Sequence, residues 1–283
     1  MHALALTLLA ALLAAPGRPS NESVIGDATL DRLPGFSAVV LSHVTANLGL
    51  EVLPTADGAA LEPGMFVTIG LDRIQVFDRN IGKLVDGRSA ETTSAVECGQ
   101  QCPASLFDAF QAEWLGLAIE STQRGVEMPS RVVIAAHNRL PAFTLLDAVY
   151  AMASSRPIRP PDLQLVLGST GRGLRGQSFF VLPPQGLELG QGSSALGLQL
   201  AFGRGRWLLR AEDPQYVREV RASDTKQLAA ALREVKRRYP SKQAIILVPD
   251  DTVTVGDLVS TMTAVRAEFP RIVLSAGQDV ILP

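Results

Sequence analysis

The sequence has no strong excess of either charge and few histidines. Its 283 residues include 26 Lys and Arg and 28 Asp and Glu, so the formal net charge at pH 7 is only −2. This balance provides no basic field that would attract nucleic acid and no acidic tail. The three histidines form no pair at a metal-binding spacing such as HExxH. We therefore expect no nucleic-acid partner, no bound metal and no cofactor.

Cysteine is scarce, with two residues in the chain, Cys98 and Cys102, in the stretch VECGQQCP. Their spacing is wider than that of a thioredoxin-type CxxC, and no second pair would complete a zinc site. In an exported protein we expect a local disulfide between them, with unpaired thiols as the alternative. Because the closed loop is small, this bond would stabilise the fold at the low end of the usual range of about 2–4 kcal/mol.

Long apolar runs are also missing. After the N-terminus no segment reaches the roughly 18 apolar residues of a transmembrane helix. Ala3 to Ala15 is apolar but too short to cross a bilayer, and it suits the core of a signal peptide, although His2 stands where Lys or Arg is usual. We predict a signal peptide at residues 1–15 and an exported, periplasmic protein. An uncleaved segment that tethers the protein and a wrongly assigned start codon are the alternatives.

Signatures of catalysis are absent as well, including the GxSxG elbow of serine hydrolases. Gly171, Gly173 and Gly176 spell GxGxxG after a predicted strand, but the next residues are β-prone and do not open the helix that a dinucleotide site needs. We interpret this stretch as a flexible linker. Asp250 and Asp251 suit capping or solvation of a helix start better than acid–base chemistry. We predict no catalytic residue and no enzymatic activity.

The most informative feature is an internal repeat. The stretch from Ile245, IILVPDDTVTVGDLVSTMTAV, aligns without a gap on the stretch from Val132, VVIAAHNRLPAFTLLDAVYAM, at a constant offset of 245 − 132 = 113 residues. Each copy predicts a short buried strand, a polar turn and an amphipathic helix. Upstream of each copy lie a VLP tripeptide, a predicted hairpin starting at Phe66 or Leu196, and a further amphipathic helix. A closing strand follows each copy.

This repeat predicts an α+β fold of two repeated small domains, each a mixed β-sheet covered on one face by two α-helices. The two domains would pack as a pseudo-dimer within the chain, or the chain would form a homodimer. After the signal peptide we predict a lead segment, a first repeat, a glycine-rich linker and a second repeat at residues 16–47, 48–168, 169–176 and 177–283.

The order of these elements, with IILVPDDTVTVGDLVSTMTAV and the closing FPRIVLSAG, resembles the periplasmic domain of the ExbD/TolR family of biopolymer-transport proteins, here in tandem duplicate. RLPAFTLLDAVYAM in the first copy is similar too, but His137 stands where the second copy has the family-like Asp250. The resemblance implies a non-enzymatic part of a proton-driven motor whose partners are envelope proteins or peptidoglycan. The family's membrane helix with its aspartate has no counterpart here, so the proton-handling role is not carried over.

We therefore expect a non-catalytic exported scaffold of an energy-transducing envelope complex. The alternative is a periplasmic enzyme or small-ligand-binding protein with a site between the two repeats. A flat exposed sheet edge would favour the scaffold, and a deep polar cleft with titratable groups would favour the alternative.

The predicted helix KQLAAALREVKRRYP is strongly basic on its polar side. Its cations either remain solvated and complement the helix dipole, or meet an anionic partner. The candidate partner-binding residues on this helix are Lys226, Arg233, Lys236 and Arg237.

Overall fold

Strands from both halves of the sequence lie in one sheet in the computed structural model of this chain. The structure describes residues 33–91, 93–98, 102–156, 161–168, 173–182, 187–188, 197–213, 216–276 and 280–281. The predicted signal peptide lies outside the described residues.

The first half begins with a helix and continues with four antiparallel strands and two helix–strand alternations. Its helices are α1 (Leu33–Asn47), α2 (Ala104–Arg124) and α3 (Ala142–Ser155). Its strands are β1 (Met65–Ile69), β2 (Arg73–Val76), β3 (Arg79–Val85), β4 (Arg88–Ser89), β5 (Arg131–Ala136) and β6 (Asp162–Gly168).

The second half begins with two strands where the first half has a helix, then has three strands and two helix–strand alternations, and ends with a short strand. Its strands are β7 (Leu174–Val181), β8 (Leu187–Glu188), β9 (Gly197–Gly203), β10 (Arg206–Asp213), β11 (Tyr216–Ala222), β12 (Ala244–Pro249), β13 (Arg271–Leu274) and β14 (Val280–Ile281). Its helices are α4 (Thr225–Arg238) and α5 (Val255–Arg266). Across the described helices, none combines the length and the hydropathy of a bilayer-spanning segment.

Twelve strands form one mixed sheet in the order β11-β10-β9-β12-β13-β7-β6-β5-β1-β2-β3-β4. The strand β7 joins the two halves, because its residues 174–179 pair with β6 and its residues 180–181 pair with β13. The prediction of two repeated small domains, each with its own sheet and two helices, is therefore wrong. The described residues contain a single large sheet and five α-helices.

The physical reason for this error lies in the glycines. The sequence predicts Gly176 to lie in a flexible linker, yet it lies in β7, where a Cβ atom would approach Cδ of Gln164 to 2.4 Å. Glycine is needed there for a close approach of β7 to the neighbouring strand, and not for flexibility. The pairing of β7 with β6 depends on residues distant from it, which a local pattern does not encode.

The two halves of the sheet share one internal order, β3-β2-β1-β5-β6 in the first and β11-β10-β9-β12-β13 in the second. Their hairpins also share one register, since Val67 pairs with Val76 and Leu200 with Leu209. Corresponding residues of the two hairpins are 133 residues apart, since 200 − 67 and 209 − 76 both equal 133. Corresponding positions of the two halves can therefore be compared directly.

The halves differ in how their sheet faces are covered. All five residues of β1 are buried, because both faces of the sheet are covered there. Helix α1 packs on the face that includes Phe66, and Leu106 of α2 packs near Ile74 on the opposite face. Phe36, Val40 and Val44 of α1 are fully buried, at about 1.5–3 kcal/mol each. In β9 and β12 every second residue is only partly buried. The second half therefore has helices on one face, and its other face has no α1 equivalent among the described residues.

Candidate functional site

The turns that follow β5 and β12 contact each other. The Ala142 N–H donates a hydrogen bond to the Val253 carbonyl at 2.9 Å, and the Val255 N–H donates to the Leu140 carbonyl at 2.8 Å. Adding the 113-residue offset to Leu140 and Ala142 gives Val253 and Val255, so each half donates the equivalent hydrogen bond to the other. The contact is therefore reciprocal, as across a local two-fold axis. The two halves thus meet through the same segment of the repeat.

The polar residues of these turns hold the turns themselves in place. Asp250 Oδ1 accepts hydrogen bonds from Thr252 N at 2.9 Å and from Thr252 Oγ1 at 2.6 Å. Thr254 and Asp257 form a capping box at the start of α5. His137, which corresponds to Asp250, accepts from Arg139 N at 3.0 Å, and burial, together with the charge of Arg139, lowers its pKa. Asp250 therefore stabilises its own turn, and α5 is capped by other residues.

Beside this contact lies a cavity of about 310 Å³, the seam pocket. Residues from both halves line it, and the charged ones are Arg88, Glu91, Asp147 and Asp251. Glu91 is engaged at the start of α2, where its carboxylate accepts hydrogen bonds from the Ser105 N–H and hydroxyl. This leaves Arg88, Asp147 and Asp251 to face a bound molecule.

Asp147 is the most perturbed acid of the seam pocket. It lies on α3, and burial desolvates its carboxylate and raises its pKa to about 7. Near neutral pH this carboxyl is therefore present in both forms, and it both donates and accepts hydrogen bonds. A small polar molecule with complementary donors and acceptors would fit such a lining. The described lining residues include no histidine or free thiol that would form a nucleophile–base pair.

One wall of the seam pocket is held by a disulfide between Cys98 and Cys102. The Ala95 N–H donates to the Cys102 carbonyl at 2.9 Å, and Ser94 bridges Pro103 in an antiparallel pair. The bond therefore closes a small loop directly before α2. In the part of the chain that the structure describes, no three His, Cys, Asp or Glu residues are grouped so that they could hold a metal ion.

A second concave surface, the second-half groove, lies at the carboxyl ends of β9 and β12 and has a volume of about 620 Å³. Its lining is mainly apolar and includes Ala201, Trp207, Leu208 and Val248, and its charged lining residues are Arg206, Arg221 and Asp250. Both arginines are exposed, and neither has an ion-pair partner among the described residues.

The adjacent sheet edge is open. Among the described strands, β11 has a neighbour on one side only, β10, whereas the corresponding β3 is also paired with β4. The basic helix α4 packs beside β11 and buries Leu228, Leu232 and Val235. An edge strand with unpaired backbone groups is a template for strand addition.

The four predicted partner-binding residues of α4 differ in their solvent exposure. Lys226, Arg233 and Arg237 are exposed. Lys236 is partly buried, because its ammonium donates to the Lys242 carbonyl at 2.5 Å and lies 5.4 Å from the centre of the Phe269 ring. Three of the four cations thus remain available to an anionic partner beside the β11 edge.

Sequence reasoning missed Asp147, the second-half groove and the role of α1. Asp147 did carry a signal, since it is the one acidic residue within the apolar stretch AFTLLDAVYAM. The groove had no local signal, because its lining comes from four strands and the start of α4.

No protein-family model matches the chain, and no curated protein matches it. Among solved structures, the chain is similar to a protein of Bacteroides thetaiotaomicron described as having an actin-like ATPase fold and unknown function. That similarity covers 74% of this chain and 90% of the other, at 9% sequence identity and a TM-score of 0.23. A TM-score this low carries no argument. The resemblance to ExbD/TolR domains therefore stays a prediction from the sequence.

Proposed function

We propose that the protein is a non-catalytic, exported interaction module of an energy-transducing envelope complex, similar in role to ExbD/TolR periplasmic domains. One observation carries the proposal, the unequal covering of two otherwise equivalent halves. In the first half β4 pairs with β3 and α1 covers the sheet face, whereas the corresponding edge and face of the second half have no such cover among the described residues. Surfaces of this kind are typical of partner binding.

The charge of the open side supports an acidic partner. Arg206 and Arg221 flank the second-half groove, and Lys226, Arg233 and Arg237 are exposed on α4 beside it. Exposed cations on a chain with a net charge of only −2 speed association with an acidic surface. An envelope protein with an acidic segment and the anionic groups of peptidoglycan both have this chemistry. The predicted element order, which resembles that of ExbD/TolR domains, favours the envelope protein.

Site-specific photo-crosslinking in the native envelope tests this proposal. A photoreactive residue at Glu219, on the open strand β11, should give an adduct with a protein of the motor complex, identified by mass spectrometry. The matched control is Val85, which lies on β3 in the first half and is 59% exposed. Adducts from Val85 alone, or from neither position, would overturn the proposal.

A second candidate function is small-ligand binding in the seam pocket, which Asp147 and Asp251 favour because they approach it from opposite halves. A screen of small polar compounds by thermal shift should then give a compound whose stabilisation is lost in Asp147→Asn. A compound that stabilises wild type and Asp147→Asn equally would not be bound in this pocket.

A further inference from the structure

Part of the second-half groove, at Ala201, Gly203, Leu208 and Val248, lies on the sheet face that α1 covers in the first half. The positions that match at the 133-residue offset of the hairpin are Phe66 with Gln199 and Gly70 with Gly203. In the first half the His43 ring of α1 lies 5.8 Å from the Phe66 ring, and Leu48, directly after α1, lies 3.5 Å from where Gly70 would carry a Cβ. Helix α1 and Leu48 therefore cover the first-half counterpart of this part of the groove.

The described part of the second half has no helix that could do the same. In the first half, α1 precedes the VLP segment, whereas in the second half the residues before VLP form β7, which lies within the sheet between β6 and β13. Ala201, Leu208 and Val248 consequently remain partly exposed on the groove side. In the first half the matching residues, Thr68, Gln75 and Ala135, are all buried.

The margin of the groove is positively charged in a way that its counterpart is not. Arg206 and Arg221 line it without an ion-pair partner in the described part of the chain, and the acid in its lining, Asp250, accepts hydrogen bonds from Thr252. Arg73, which corresponds to Arg206, is paired with Asp72 at 2.8 Å. A fitting occupant would therefore combine an apolar face with acidic groups.

We propose that the second-half groove binds an amphipathic helix of a partner protein, with Asp or Glu residues flanking its apolar face. This inference rests on the proposed function and names the partner's recognition element. The helix would lie as α1 lies on the first half, with apolar residues at the spacing of Phe36, Val40 and Val44 and with carboxylates near Arg206 and Arg221.

Charge separates this occupant from a second copy of the chain, because α1, which a second copy would bring, contains no Asp or Glu and would not neutralise the two arginines. Residues 1–32 of the chain itself include Glu22, Asp27 and Asp31 after the apolar stretch at residues 3–15, so the cross-linking experiment below separates this segment from a partner helix.

The probe is a synthetic 16-residue peptide with Phe, Val and Val at positions i, i+4 and i+8 and Glu residues on both flanks, labelled for fluorescence anisotropy. The full chain should bind it, and the double variant Arg206→Glu/Arg221→Glu should weaken binding by at least about tenfold, because two charge contacts become repulsive. Arg73→Glu, the matched change in the first half, should leave the affinity unchanged. A peptide with Lys in place of Glu should bind much more weakly.

Equal binding of the Glu and Lys peptides, or unchanged affinity in the double variant, would overturn the inference. A photoreactive residue at Leu208 identifies the occupant directly. An adduct with the Glu peptide supports the proposal, and a cross-link to residues 1–32 or to a second copy would overturn it. If Glu219 gives adducts in the envelope but the peptide experiment fails, the proposed function stands and the helix is not its recognition element. If both experiments fail, the proposed function and this inference are both wrong.

Discussion

Pro141 and Thr254 pair in an antiparallel bridge, although they occupy the same position in the two halves of the repeat. Each is the residue directly before a helix, α3 or α5, and each is followed by a residue whose N–H bonds to the opposite half. The repeat thus has a second role besides building two similar half-sheets. It supplies both sides of the contact that joins them.

Proline at the first residue of α3 or α5 tests this contact. Ala142→Pro removes the N–H that donates to the Val253 carbonyl, and Val255→Pro removes the equivalent donor to Leu140. Because a proline is tolerated at the first position of a helix, the helices should persist while stability falls by about 1–3 kcal/mol for each buried carbonyl left unpaired. Urea denaturation measures the change.

Thr225→Pro is the matched control for these variants. It lies at the first residue of α4, where the preceding Asp224 is extended and compatible with a following proline. We expect a change within about 0.5 kcal/mol, as for an exposed site. Equal losses in all three variants would show that the bonds between the halves contribute nothing specific.

The buried carboxyl of Asp147 predicts a pH dependence of stability. Its pKa in the folded state is about 7 against an ordinary value of 3.8, so the folded state holds a proton that the unfolded state has released between these values. The free energy of unfolding should therefore fall as pH rises from 4 to 7 and then level off.

Asp147→Asn should remove this slope and stabilise the protein at pH 8 by about 2 kcal/mol, roughly half of the full linkage value because the side chain is partly exposed. At pH 4 the variant and wild type should be similar. Asp108→Asn, at an exposed position of α2, serves as the control and should follow wild type. A wild-type stability that rises between pH 5 and 8, or an unchanged slope in Asp147→Asn, would contradict the burial of this acid.

The disulfide should contribute modestly. Replacing both Cys98 and Cys102 by Ser should cost about 2 kcal/mol, the chain-entropy value for a very small loop. Calorimetry with and without a reductant checks this, and the melting temperature of the double serine variant should not respond to the reductant. A loss above about 4 kcal/mol would mean that the bond does more than restrain the loop.

Gly176→Ala tests the strand that unites the sheet. Its new methyl group would collide with Gln164, whose side chain also accepts from Glu62 N at 3.1 Å and donates to the Ala60 carbonyl at 3.0 Å. We expect a loss of about 1–3 kcal/mol, as for overpacking of a core site. Gly116→Ala, in α2 with open space at its Cβ position, should instead stabilise by about 0.5–1 kcal/mol. Chemical denaturation compares the two, and a neutral Gly176→Ala would contradict the tight pairing of β6 with β7.

Much of each half could be predicted from the sequence because its signals are local. The hairpins expected from Phe66 and Leu196 are present as β1–β2 and β9–β10, and Asp224 caps α4 by accepting from Gln227 N at 2.8 Å. Strand alternation, turn residues and caps act over a few neighbouring residues, so periodicity reveals them.

The joining of the halves could not be predicted in this way. The strand β7 pairs with β6 and β13, so its place depends on partners on both sides that are far apart in the chain. The same applies to the seam pocket, where Asp147 meets Asp251 only after both halves have folded. Helix α1 was also missed, because its apolar residues gave only a short run that predicted no element.

The central claim is that a partner binds the second half of the sheet at the surfaces that the first half has covered. Amide hydrogen exchange tests it most directly. It is measured by mass spectrometry on the full chain alone and on the full chain mixed with the partner protein that photo-crosslinking at Glu219 identifies. The account predicts new protection confined to residues 197–222, with exchange at residues 65–89 unchanged. Protection at residues 65–89 and none at 197–222 would contradict it.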